Sequence, residues 1–164
     1  MLVEFKDMPA EARLWVYQAD RPLSSSEQEF IRAQSVTFIH QWTAHGANLK
    51  ASFVISFDQF LVITVDENFN QASGCSIDSS VQFVRFLEQE LKVSFLDRTR
   101  VAFLDEELEP NGITTRSLRE IKEKVHSGEI GEKAIVFNNM VTSKREFDTN
   151  WKIEAKKSWL SKYF

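Results

Sequence analysis

The stretch Leu49-Lys50-Ala51-Ser52-Phe53-Val54-Ile55-Ser56-Phe57-Asp58-Gln59-Phe60-Leu61-Val62-Ile63-Thr64-Val65-Asp66 governs how the rest of the chain is read. Its first half alternates: Leu49, Ala51, Phe53, Ile55 and Phe57 are apolar, with Lys50, Ser52 and Ser56 between them. A period of two places the apolar set on one face of a half-buried strand. The second half, Phe60 to Val65, is rich in β-branched and aromatic residues and reads as the return strand of a hairpin. A two-residue loop at Asp58-Gln59 pairs Phe57 with Phe60, Ile55 with Val62, Phe53 with Thr64 and Ala51 with Asp66. It also sets Lys50 opposite Glu67, an opposite-charge pair that supports the register.

Upstream of the hairpin, Arg13 to Gln18 is a β-rich run closed by Asp20-Arg21-Pro22. A helix follows, with Ser24 and Glu27 as a capping box. Ile31, Phe38, Ile39 and Trp42 share one face until Gly46 stops it. Downstream, a second helix begins near Ser76, marked by Ile77, Val81, Val84, Leu87 and Leu91, with Phe83 and Phe86 widening the apolar stripe. Arg100 to Leu104 gives another strand, and the acidic run 105–109 with Pro110-Asn111-Gly112 gives an exposed turn. A third helix is capped by Ser117 with Glu120 and ends at Gly128, and Lys133 to Phe137 forms a further strand.

The order strand, helix, strand, strand, helix, strand is the split β-α-β of a ferredoxin-like core. A strand near 113–116, then helix and strand, extends it as a C-terminal β-α-β. The expected fold is α+β, with a mainly antiparallel sheet and helices on one face. No repeat or linker-like segment divides the chain, so residues 1–164 are read as one domain.

Composition narrows the function classes. With 43% hydrophobic residues and 14 Phe against 5 Gly and 3 Pro, the chain is not disordered or collagen-like. A net charge of −4 argues against a nucleic-acid-coating surface. The N-terminal residues are already charged where a signal peptide needs an apolar stretch, and no apolar run approaches the ~20 residues that span a bilayer. One cysteine, Cys75, fits a reducing compartment, and the expected location is the cytoplasm. Residues 142–164 carry six basic and three acidic groups together with Trp151 and Trp159. They are expected to dock on the domain with their lysines in water.

The site-like residues gather between the hairpin and the second helix. Asp66 to Ser80 holds small and polar side chains where a helix start leaves N–H groups unpaired. An anion fits there, held by Ser73, Gly74 and Ser76, unless Ser76 is only the N-cap and Asp78 the acid of the first turn. Cys75 in that position is a candidate nucleophile, with His45 as base and Asp66 orienting it. The competing reading makes Cys75 a small buried apolar residue. Asn138 and Asn139 follow an apolar strand and either bind a ligand or form the turn. No metal-ligand spacing, phosphate loop or Gly-x-Ser-x-Gly is present, and no cofactor is expected.

The strings Gln41-Trp42-Thr43-x-His45-Gly46, Val65-Asp66-Glu67, Gln71 to Phe83 and Val136-Phe137-Asn138-Asn139, with Trp15-x-Tyr17-Gln18-Ala19-Asp20-Arg21, resemble a family of small proteins of Bacteroidetes. The resemblance extends over nearly the whole chain and implies a cytoplasmic protein. Members of that family carry the label of ABC-transporter ATPase components, which this chain, lacking a phosphate loop, does not match; no catalytic residue carries over. Three functions are consistent with the residues. They are a small-molecule or anion-binding module at 73–78, a thiol-dependent acyl-transfer or hydrolytic enzyme using Cys75, and an interaction module, including a homodimer.

Overall fold

The computed structural model describes residues 1–164. In chain order its elements are β1 (Arg13–Gln18), α1 (Ser25–Gln41), β2 (Thr43–Ala44), β3 (Ala47–Asn48), β4 (Ala51–Ser56), β5 (Phe60–Val65) and α2 (Gly74–Leu91). There follow β6 (Arg100–Leu104), β7 (Ile113–Ser117), α3 (Leu118–His126), β8 (Ile135–Phe137), α4 (Lys144–Asn150) and β9 (Lys152–Glu154). Short 3-10 turns cover Phe5–Asp7, Ala155–Lys157 and Trp159–Tyr163. The fold is α+β with antiparallel strand pairing within every sheet. No helix is long and apolar enough to cross a membrane.

The split β-α-β is present: β1 and β4 flank β5, and α1 crosses between them. Its sheet stops at three strands, order β1-β5-β4, because β6 does not join β1. Instead β6 enters a second, four-stranded sheet of order β7-β6-β8-β9. The outer edge of β1 is met by the chain before α4, where the Leu14 N–H donates to the Thr142 carbonyl at 3.0 Å.

The reason for two sheets lies in β5, every residue of which is buried. Leu61, Ile63 and Val65 face one way and pack with Tyr17, Ile31, Ile39, Val84 and Leu87 from β1, α1 and α2. Phe60 and Val62 face the other way, with Leu14 and Val16, onto Ala102, Ile113, Phe137 and Trp151. A strand with two apolar faces needs cover on both sides. Helices α1 and α2 cover the first, and the second sheet covers the other. The outer face of that second sheet carries Phe103 and Val136, which are in turn closed by Ile121 of α3 and Leu160 of the C-terminal 3-10 turn. The result is four layers: helices, sheet, sheet, helix.

Several local expectations are corrected. The β4–β5 register is shifted by one residue, pairing Ser56 with Phe60, Val54 with Val62 and Ala51 with Val65. The loop is therefore three residues, and Phe57 and Asp58 both adopt φ +51° within it. Lys50 pairs with Asp66 at 3.3 Å rather than with Glu67, which binds Arg13 at 3.3 Å. Helix α1 ends at Gln41, before a small β2–β3 hairpin whose turn residues His45 (φ 52°) and Gly46 (φ 78°) both need positive φ. The N-cap of α2 is Ser73, with Ser76 as its capping partner three residues on.

The basic C-terminal segment packs onto the body of the protein. Trp151, Ala155 and Leu160 are buried. Its cations pair with acids of the chain, Lys144 with Asp148, Arg145 with Glu11 and Lys156 with Glu132. Trp151 sits among Phe57, Phe60, Phe137 and Phe147 with ring centroids 4.5–5.9 Å away, the centre of an aromatic cluster between the sheets.

Candidate functional site

The start of α2, richest in site-like residues by sequence, uses most of them on itself. Ser76 N–H donates to Ser73 Oγ at 3.1 Å and Ser73 N–H donates back to Ser76 Oγ at 2.7 Å. Ser76 Oγ also donates to the Ser73 carbonyl, Ser79 Oγ to the Cys75 carbonyl, and Ser80 Oγ to the Ile77 carbonyl. The Ser76 carbonyl accepts the Trp42 indole N–H at 2.8 Å, which ties α2 to the end of α1. Of the hydroxyls expected to hold an anion, Ser76 already donates to backbone while Ser73 Oγ accepts the Ser76 N–H, and Gly74 lies exposed in the first turn.

Cys75, His45 and Asp66 are not joined by any hydrogen bond or ion pair. Cys75 is exposed on the first turn of α2, and His45 is exposed at the tip of the β2–β3 hairpin. Asp66 is buried with both oxygens engaged: Oδ1 accepts the Asn68 N–H at 3.1 Å and Oδ2 faces Lys50 Nζ at 3.3 Å. Asp78 lies on a broad, shallow surface between α1 and α2, floored by Phe38 and Phe83, whose rings stack with centroids 4.5 Å apart. No group of three or more His, Cys, Asp or Glu side chains is placed to hold a metal ion.

The two asparagines part company. Asn138 makes the turn: its Oδ1 accepts the Met140 N–H at 3.2 Å, and its own N–H donates to the Trp151 carbonyl. Asn139 instead belongs to a chain of side chains at the end of the sheet interface. The Trp151 indole N–H donates to Asn139 Oδ1 at 2.9 Å. Asn139 Nδ2 donates to Gln18 Oε1 at 2.9 Å, and Gln18 Nε2 donates to the Arg100 carbonyl at 3.3 Å.

Both ends of this chain fix its direction. An indole N–H can only donate and a backbone carbonyl can only accept, so each amide must present its oxygen toward Trp151 and its NH2 toward Arg100. Each NH2 has a second N–H beyond the one used here. Gln18 is only 9% exposed, so its polar atoms cannot rely on bulk water.

Gln18, Asn139 and Arg100 line a cavity of about 200 Å³. It opens where β1 and β8 end and β6 begins, and the α2–β6 loop and the C-terminal turn complete it. Val16, Phe95, Phe137 and the half-exposed Trp159 supply apolar walls. Three charged residues, all exposed, are among its lining: Asp97, Arg98 and Arg100. Arg100 is spent on the Thr115 carbonyl at 2.8 Å and on Glu120 at 3.5 Å. Asp97 accepts the Thr99 side-chain O–H and backbone N–H, and those two bonds hold its carboxyl below the usual carboxylate range. Arg98 has no hydrogen-bond or ion-pair partner within the chain. Burial raises the Tyr17 phenol above its ordinary value, while the nearby Ser80 hydroxyl and Arg98 charge oppose this. Tyr17 stays neutral across the physiological range.

Comparison with family models, with curated proteins and with solved structures finds no match. The geometry of the cavity therefore carries the functional argument.

Sequence reading placed the site 73–78 because serines and a glycine cluster there. It missed Gln18, Arg98 and Trp159, which sit far apart in the chain and carry no local motif. The one sequence signal that pointed toward the cleft was the Asn138-Asn139 pair, of which Asn139 lines it.

Proposed function

We propose that this protein is a small-molecule-binding module whose ligand occupies the cleft between the two sheets, not the start of α2. The observation that supports it is a cavity with apolar walls, a directed Trp151–Asn139–Gln18 chain and one uncommitted cation, Arg98. Binding sites combine a mainly apolar concavity with a few convergent polar groups, and this cleft has that composition. The volume falls below the roughly 300–1,000 Å³ of drug-sized sites, so the ligand is small. The cytoplasm is its proposed location, in keeping with the unpaired, exposed Cys75.

Crystals of the full chain soaked with a fragment library test this reading. Fragments are expected between β1, β8 and Trp159. Fragments bound only at α2, or none in the cleft, would overturn it.

A further inference from the structure

We infer that the ligand of this cleft is a small carboxylate on a flat apolar body, its charged end held by Arg98 and its ring lying among Phe95, Phe137 and Trp159. The inference rests on the cleft being the binding site, and it adds a chemical class. Three observations lead to it.

The first is charge. Of the cations lining the cavity, Arg100 is already bonded to Thr115 and Glu120, whereas Arg98 is uncommitted. A guanidinium presents a planar fork of donors that matches a carboxylate. The one acid on the lining, Asp97, has its Oδ1 bonded to the Thr99 hydroxyl and N–H.

The second is hydrogen-bond sense. Because the Trp151 and Arg100 ends fix the amides, Gln18 and Asn139 each keep one N–H and one carbonyl lone pair, and their N–H groups can meet an acceptor beside the same cavity. The amides can serve either kind of head, so the preference for an anion over an ammonium comes from Arg98.

The third is size and shape. An apolar cavity of ~150 Å³ holds a benzene ring. At about 200 Å³, this one has room for a ring and a carboxylate and is too small for a nucleotide. Aromatic walls favour a flat partner through offset-stacked or edge contacts.

Isothermal titration of the full chain with benzoate, benzamide and benzylamine tests the class. Benzoate is expected to bind about tenfold or more tighter than benzamide, and benzylamine weakest of the three. In Arg98→Gln the benzoate advantage should vanish while benzamide affinity persists, which shows that the cleft is still folded. Equal binding of benzoate and benzamide by the natural protein, or an advantage that survives Arg98→Gln, overturns the carboxylate inference and leaves the cleft reading intact. Phenyl phosphate binding more tightly than benzoate overturns it too, assigning the head to phosphate. Failure of all the probes removes both.

Discussion

The start of α2 and the cleft between the sheets are both rich in polar residues, and they differ in what those residues are already doing. At α2 the hydroxyls of Ser73, Ser76, Ser79 and Ser80 close onto backbone of their own helix, and the Ser76 carbonyl takes the Trp42 indole. At the cleft the amides of Gln18 and Asn139 form one line with a spare donor each, and Arg98 has no partner. A dense polar segment is thus not the same as a set of available groups. Capping uses most of the side-chain groups of the first region, and long-range packing leaves the second open.

Trp151 is where the comparison breaks most visibly. It is 4% exposed, packs four phenylalanine rings and anchors Asn139. Trp151→Ala should cost about 3–5 kcal/mol in urea unfolding. Trp151→Phe keeps much of the packing but leaves Asn139 Oδ1 without its donor, for about 1–3 kcal/mol and weakened cleft binding. Natural stability and natural ligand affinity in Trp151→Phe would show that the side-chain chain is not what organises the cleft.

Ser73→Ala separates the regions at a smaller scale. Losing the N-cap oxygen should cost about 1 kcal/mol, with cleft affinity unchanged. A loss of ligand binding in this variant would return the site to α2. Smallest of all is Cys75→Ser, which should change stability by no more than about 0.5 kcal/mol, because the thiol is exposed and bonded to nothing. Equally unchanged ligand affinity is expected by titration. A Cys75→Ser protein that no longer handles a ligand bound by the natural chain would revive the thiol-enzyme reading.

Periodicity revealed the elements of this fold more readily than their arrangement. The β4–β5 hairpin is legible in its alternation, and the Ser24–Glu27 and Ser117–Glu120 capping boxes lie where the spacing puts them. The register is not legible, because Phe57 and Asp58 carry no mark of the left-handed conformation they adopt. A slip of one residue exchanges the two faces of a strand, so the error spreads from the turn through the hairpin. The second sheet had a signal in Phe60-Leu61-Val62-Ile63, an unbroken apolar run that means burial on both faces. Taken as the return strand of a half-exposed sheet, it hid the four-layer arrangement.

The cleft was less visible still. Gln18 and Asn139 are 121 residues apart, and Trp151 belongs to the basic tail, whose docking on the domain the sequence predicts without indicating what it packs against. Only the packing of Trp151 against Phe60 and Phe137 brings the tail to the end of β1. No spacing rule connects residues that meet through two different sheets.

The most direct test is a benzoate titration of the full chain followed by two-dimensional NMR, reading the indole N–H signals of Trp151 and Trp159 beside the backbone N–H signals of Gly74, Cys75 and Ser76. Cleft binding predicts saturable shifts of the two indoles, with the α2 amides and the Trp15 and Trp42 indoles unmoved. Shifts confined to Gly74–Ser76 and Trp42 would contradict it and place the ligand at the start of α2.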